Sequence, residues 1–169
     1  MKPAKNEYFP YFEHYISLVP NDDVIHALSD AQRDSLDTLE KIEDRDWSKT
    51  YAPGKWTVKE LWQHVTDTER IFSYRALCFA RMESQILPAF DENAYALHSG
   101  VSNRHPDLIV SEYKAVRIAT LALFTGLNAE EFSRTGTVPA GRVSVNALAF
   151  AICGHNLHHL GVLRERYLK

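Results

Sequence analysis

The chain has 169 residues, of which 45% are hydrophobic and 24% charged, as expected of one globular domain with its own core. A formal net charge of −3 disfavours a nucleic acid or an anionic membrane surface as the main partner. Only two cysteines occur, far apart in the sequence, which excludes a disulfide framework and a cysteine metal cluster. Neither a membrane-length apolar run nor a signal-peptide core is visible, so we expect a cytoplasmic protein. The remaining unusual count is eight histidines.

Hydrophobic spacing predicts four amphipathic helices and gives no convincing sign of a strand. The second helix has the best-marked start: in the segment WTVKEL, Thr57 is the N-cap, Glu60 completes a capping box, and Trp56 belongs to a hydrophobic staple. Pro106 begins the third helix and Ser144 is the N-cap of the fourth. We expect the four helices to cover roughly residues 22–44, 57–82, 106–127 and 144–168.

Four helices of this kind predict an all-α protein, a four-helix bundle that forms a single domain over residues 1–169. About 23 residues separate the second and third helices, which is long enough to run back along the whole bundle. The two helices can then be parallel. We therefore predict an up-down-down-up topology with a long crossover between helices 2 and 3.

Two histidines of the fourth helix lie in its apolar face. His155 and His159 are four residues apart, so their imidazoles lie one above the other and can reach the same metal ion. The HxxxH spacing alone is a weak signal, and two core histidines bonded to neighbouring carboxyl or carbonyl groups are the alternative. His158 falls at the edge of the face and is interpreted as a supporting residue.

An open metal site needs a third protein ligand from another helix. The histidines available outside the fourth helix are His14, His26, His64, His98 and His105. Periodicity places His64 at the flank of the apolar stripe of the second helix, where a surface or flank histidine is the favoured interpretation. The helical pattern by itself does not choose among the five.

Four segments, taken in order, resemble the DinB-like superfamily of candidate metalloenzymes. They are PGKWTVKELWQHVTDTERIFSYRALCFAR, LPAFDENAY, YKAVRIATLALF and VSVNALAFAICGHNLHHLGVLRERYL. The resemblance implies a four-helix bundle of up-down-down-up order that holds a divalent metal through three histidines, one from the second helix and two from the HxxxH of the fourth. The matching positions in this chain are His64, His155 and His159.

The resemblance implies two classes of reaction on a small molecule, metal-dependent hydrolysis and transfer that uses a low-molecular-weight thiol. Histidine ligation suits zinc or nickel best and also admits iron, copper or cobalt. A non-catalytic metal-binding or stress-associated bundle is the alternative function. A helical interaction module in which the histidines only fill the core is a third interpretation.

Acid–base groups are harder to assign. Glu69 lies in the apolar stripe of the second helix, where it is a weak catalytic candidate that could orient a ligand imidazole, or else form a salt bridge to an arginine of a neighbouring helix. Asp91 and Glu92 could cap a short helix or approach the site. Cys153 lies on the far side of the last helix from His155, which argues against a metal-bound thiolate.

The last helix is apolar on two sides. Phe150, Cys153, Leu157 and Leu168 lie opposite the histidine face, and such a face needs cover. Either the aromatic N-terminal segment folds over it or a second subunit does, and a homodimer is slightly favoured.

Overall fold

The computed structural model describes residues 1–169, and most of them are helical. The helices are α1 (Glu13–Leu18), α2 (Val24–Leu39), α3 (Val58–Ala80), α4 (Glu92–His98), α5 (Pro106–Thr125), α6 (Ala129–Ser133) and α7 (Val145–Val162). Two short strands, β1 (Thr135–Val138) and β2 (Gly141–Ser144), precede the last helix. The predicted predominance of helix is thus confirmed, and none of the helices is both long and apolar enough to cross a membrane.

The start of α3 is the one that the sequence predicts. The Thr57 hydroxyl accepts a hydrogen bond from the Glu60 amide at 3.2 Å, and the Glu60 carboxylate accepts one from the Thr57 amide at 2.7 Å. These reciprocal bonds satisfy two of the amides that a helix start leaves without partners. The predicted helix boundary at Thr57 is confirmed.

The four long helices α2, α3, α5 and α7 form the body of the fold. Helix α2 packs against α5 and α7, and α3 packs against the same two helices. Helices α2 and α3 therefore occupy opposite corners of the bundle, although they follow each other in the chain. Their side chains build two buried apolar clusters, one around Phe79 and Phe150 and the other around Trp47 and Trp62.

The expectation that the chain has no strand was wrong. Strands β1 and β2 pair antiparallel across the residues Pro139 and Ala140, with Thr135 opposite Ser144. Two four-residue strands are too short for clear alternation and are marginal alone. Here the hairpin is supported by the end of the bundle, because Val138 is buried and the Leu87 amide donates to the Thr137 carbonyl at 3.1 Å.

Helix ends were also predicted too far along the chain. The first long helix ends at Leu39 instead of residue 44, and a 3₁₀ turn at Asp44–Ser48 follows it. The last helix ends its regular part at Val162 and continues as a π-helical turn over Leu163–Tyr167. Apolar periodicity continues through such turns, so the pattern does not mark the change.

The second apolar side of α7 is covered within the chain. Every residue of α7 from Ala147 to Asn156 is buried, and α1 and α2 both pack against this helix. The approach of α1 is so close that a Cβ atom at Gly154 would overlap the backbone carbonyl of Tyr15. The N-terminal segment is thus one of the predicted covers over Phe150 and Cys153, whereas Leu168 stays exposed. The homodimer stays a prediction.

Candidate metal centre

Helices α3 and α7 bring three histidine side chains together. His64 comes from α3, and His155 and His159 come from successive turns of α7. The Nε2 atom of His155 lies 3.0 Å from Nε2 of His64 and 3.1 Å from Nε2 of His159. One ring nitrogen of each residue thus converges on the same point, with all three within 4.8 Å of one another.

Hydrogen bonding among the three rings cannot satisfy them. A ring nitrogen has a single in-plane site, either a lone pair or a proton, whereas Nε2 of His155 faces two other ring nitrogens. Three nitrogens around one tetrahedral ion at about 2.0–2.1 Å would be roughly 3.3 Å apart. The two separations at Nε2 of His155, 3.0 and 3.1 Å, are close to this value, and all three nitrogens lie within 4.8 Å of one another, so the donor set fits a divalent ion with small adjustments.

Burial keeps the three imidazoles neutral, which is the form that binds a metal. Desolvation lowers the pKa of His64 to about 4, and it lowers the pKa of His155 and His159 well below the usual value. The neighbouring histidines add to the effect, because a second positive charge nearby is unfavourable. At neutral pH all three rings therefore keep a lone pair available.

His64 is buried although the apolar periodicity of α3 places it at the flank of the stripe. Near its start, α3 is enclosed by more than one partner, since the turns at Asp44–Ser48 and Val101–Asn103 pack against it together with α5 and α7. The ring of Trp56, next to the N-cap, lies 4.7 Å from the His64 ring between centroids. A histidine on the flank is therefore inside the fold.

A cavity of about 380 Å³ opens beside the histidines. His64 and His155 form part of its wall, and most of the remaining wall is apolar or aromatic. The aromatic residues come from the N-terminal segment, from α3 and from the connection that follows α3: Phe9, Tyr11, Phe12, Tyr15, Phe72 and Phe90. The volume is within the range of small-molecule pockets.

Thr68 lies one turn after His64 on α3 and lines the same cavity. Its side chain is 3% exposed, and its hydroxyl has no hydrogen-bond partner in the protein. A buried hydroxyl without a partner is costly. It is available to a molecule that enters the cavity.

His158 does not join the three-histidine cluster. Its Nδ1 atom lies 3.0 Å from Nε2 of His14, at the partly exposed contact between α7 and α1. Of the other histidines named as candidates, His26 and His105 lie near carboxylates at the surface. The structure thus brings His64, and not another histidine, to His155 and His159.

Glu69 is tied to an arginine of a neighbouring helix. Its two carboxylate oxygens accept hydrogen bonds from Nε and Nη2 of Arg117 at 2.7 Å each, and both side chains are buried. Arg117 also donates to the carbonyl of Leu28 and to the amide oxygen of Asn156. Tyr113 donates to that same oxygen at 2.8 Å. This buried polar network joins all four long helices beside the histidines.

The remaining acidic and thiol candidates do not join the three-histidine cluster. Asp91 caps α4, because its carboxylate accepts from the amides of Asn93 and Ala94. Glu92 is exposed at the edge of the cavity. Cys153 is fully buried, and desolvation raises the pKa of its thiol to about 12, so it stays protonated.

Sequence reasoning missed Arg117, Asn156 and Arg75. Arg117 follows Tyr113 by four residues on the apolar face of α5, and this spacing was a usable signal for a buried cation. Arg75 follows His64 by eleven residues on α3, close to three full turns, so the two share a face.

A family model of the DinB superfamily matches residues 27–163. A curated relative from Oceanobacillus iheyensis, named as a candidate metal-dependent hydrolase, is 23% identical over 129 residues, which are 76% of this chain and 74% of the relative.

Two solved structures share the fold. YfiT from Bacillus subtilis, described as a candidate metal-dependent hydrolase with an unusual four-helix bundle topology, superposes with a TM-score of 0.77 at 19% identity, over 85% of this chain and 83% of YfiT. A mycothiol-dependent maleylpyruvate isomerase superposes with a TM-score of 0.71 at 11% identity, over 86% of this chain and 61% of the isomerase. At these identities the likeness concerns the fold alone.

Proposed function

The chain belongs to the DinB superfamily, and from this membership and the histidine cluster we propose that it is a metal-dependent hydrolase of a small, largely apolar substrate. The metal ligands in this proposal are His64, His155 and His159. The observation that carries it is the convergence of three buried, neutral imidazoles, whose nitrogens cannot satisfy one another, at the wall of an apolar cavity.

Zinc or nickel is the proposed ion, because three imidazole ligands suit both. Three neutral ligands leave the ion its full double charge and at least one open position, and it then supplies Lewis-acid activation of water or of a substrate group. Fold-level relatives include both candidate hydrolases and a thiol-dependent isomerase. Hydrolysis is favoured because the curated relative is also named for it, and transfer to a low-molecular-weight thiol is the competing outcome.

The protein's own groups contribute position and environment. The aromatic walls of the cavity exclude water from the substrate. The unpartnered Thr68 hydroxyl is placed to donate a hydrogen bond to a substrate oxygen beside His64. Asn156 is adjacent to His155 in the chain and is held by Tyr113 and Arg117, so the buried network fixes the turn of α7 that carries the ligand.

We also propose that the chain forms one domain with up-down-down-up order. Contacts between α3 and α5 support this order, since Gln63 contacts Glu112, Glu69 contacts Arg117 and Ser73 contacts Thr120. The residue numbers rise together on both helices, as they do between parallel helices. The segment between these helices contains α4 and supplies the crossover.

Metal content tests the ligand assignment. We expect the protein, after loading with zinc or nickel and removal of the excess, to retain one equivalent by elemental analysis. His155→Ala should lose this ion, because it removes the central nitrogen, whereas His26→Ala is a matched control at an exposed helix position. Equal metal content in all three proteins, or none in the wild type, would refute the assignment.

Turnover is tested separately with the metal-loaded protein. We expect hydrolysis of aryl esters or amides that is lost in His155→Ala and in the chelated wild type. Turnover only in the presence of an added thiol would replace hydrolysis with thiol transfer. Tight metal binding without turnover in either screen would favour the non-catalytic metal-binding bundle.

A further inference from the structure

Arg75 is a buried cation without an ionic partner. Its residue is 7% exposed, and its single protein hydrogen bond runs from Nη2 to the carbonyl of Pro88 at 2.6 Å. Desolvation lowers the pKa of the guanidinium, with no charged neighbour opposing this, yet an arginine stays protonated at neutral pH. A guanidinium has five N–H donors, so most of the hydrogen-bonding capacity of Arg75 is unused.

Arg117, the other deeply buried arginine, shows which hydrogen-bond partners a purely structural cation has in this fold. Arg117 donates to both oxygens of Glu69, to the Leu28 carbonyl and to Asn156. A buried charge is normally compensated in this way, because leaving it unpaired is unfavourable. Arg75 has instead only the faces of two aromatic rings, Phe72 and Phe90, at 5.7 and 5.9 Å from their centroids.

The position of Arg75 relates it to the histidines. Eleven residues along α3 correspond to a rotation of about 1100°, so Arg75 lies about 20° from His64 around the helix and about 16 Å further along it. Helical side chains point towards the N-terminus of their helix, and that direction is towards His64. Both residues line the same apolar cavity. Glu92 also borders this cavity, but it is exposed to solvent.

We infer that Arg75 binds a carboxylate of the substrate, so that the substrate class is an apolar or aromatic molecule with a carboxylate at the end remote from the histidines. A carboxylate matches the planar fork of a guanidinium. One cation neutralises one negative charge, whereas a dianionic phosphate would leave net charge in an apolar cavity. This inference rests on the proposed function for the reaction, but the anion site exists without the metal.

Benzoate and its neutral analogue benzamide are the probes, titrated into metal-free protein and followed by NMR. We expect benzoate to bind about 10- to 100-fold more tightly than benzamide, the range of a charge-assisted pair. Arg75→Met should reduce the affinity for benzoate to the affinity for benzamide. Arg75→Lys, which keeps the charge without the planar fork of the guanidinium, should weaken the binding of benzoate and leave the binding of benzamide unchanged. Arg33→Met is the matched control, since Arg33 is exposed on α2 and does not line the cavity.

The location of the probe is measured by nuclear Overhauser contacts. Arg75 also borders a neighbouring surface cavity lined by Tyr74 and Tyr95, so contacts to these rings alone would overturn the inference. Contacts to Phe12 and Phe72 support it. Equal affinity of the wild type for both probes, or undiminished benzoate binding in Arg75→Lys, would also overturn it, whether or not Arg75→Met folds.

The inference and the proposed function fail in different measurements. Cobalt loading should broaden the signals of bound benzoate in the wild type but not in His159→Ala, which removes a proposed ligand that does not line the cavity, while both proteins bind benzoate equally. Absence of broadening with intact, Arg75-dependent benzoate binding would refute the metal centre and leave the carboxylate site standing. Broadening without a preference for benzoate over benzamide would support the metal centre and refute the carboxylate site.

Discussion

Replacing Arg117 with methionine should destabilise the bundle severely. The substitution leaves the Glu69 carboxylate buried without its two hydrogen bonds and removes donors from Leu28 and Asn156. Breaking a buried ion pair from one side costs about 3–5 kcal/mol. A protein of this size has a total stability of about 5–15 kcal/mol, so we expect a loss of about one fifth or more. The melting temperature should fall by roughly 6–20 °C, at about 2–4 °C per kcal/mol.

Urea unfolding followed by circular dichroism measures the effect. The double variant Glu69→Met with Arg117→Met removes both charges, and we expect it to recover at least about 2 kcal/mol relative to Arg117→Met, because no unpaired charge remains. An Arg117→Met protein that unfolds within about 1 kcal/mol of the wild type would refute the reasoning.

The same double variant tests whether Glu69 acts only in the fold. If it does, the variant retains the metal ion and most of any hydrolytic turnover, because neither residue touches the three histidines by hydrogen bond. A folded, metal-loaded double variant without turnover would show instead that the Glu69–Arg117 pair also supports catalysis, either directly or by holding Asn156 beside His155.

Three further predictions concern single positions. Thr68→Val should leave the stability of the fold unchanged or slightly higher, because the hydroxyl has no partner to lose. Turnover by the metal-loaded protein should fall. Unchanged turnover would show that Thr68 is not part of the site. Gly154→Ala should destabilise the fold by about 1–3 kcal/mol, because the added Cβ overlaps the backbone of α1. Gly161→Ala on the same helix has open space around it and should stabilise the fold by up to about 1 kcal/mol. Similar melting temperatures of the two variants would refute the close approach of α1 to α7. The hydrogen bond from Arg164 lowers the pKa of Asp34, so this pair stabilises the fold above the unfolded pKa of about 3.9 and loses that effect as the pH falls through the lower folded value. Asp34→Asn should therefore cost less than about 1 kcal/mol at pH 7, since both side chains are half exposed, and nothing near pH 2; an equal difference at both pH values would contradict the assignment.

The parts of the site that periodicity could predict are those on a single helix. His155 and His159 lie one turn apart on the same apolar face of the last helix, so a helical wheel identifies both. His64 depends on which elements enclose α3, and this is tertiary information. Only the family resemblance selected His64 from the five histidines outside the last helix.

Other features were missed because their signals are short or lie in the irregular parts of the chain. The β1–β2 hairpin has four residues per strand and depends on the bundle end for support. The wall of the cavity is assembled from five segments: the N-terminal segment, α3, the connection that follows α3, the β1–β2 hairpin and α7. Periodicity describes only the two long helices among them. Arg75 has the right helical spacing from His64, but spacing alone does not show that a cation lacks a carboxylate.

The origin of the cavity walls separates the chemistry of this protein from its selectivity. The three histidines lie within the matched region, residues 27–163. Phe9, Phe12 and Tyr15, which form much of the aromatic wall of the cavity, precede it. Substitutions in this leading segment can therefore reshape what the cavity admits while the ligands stay in place. Exchanging residues 1–19 between related bundles is accordingly a direct route to an altered ligand preference with the histidine cluster unchanged.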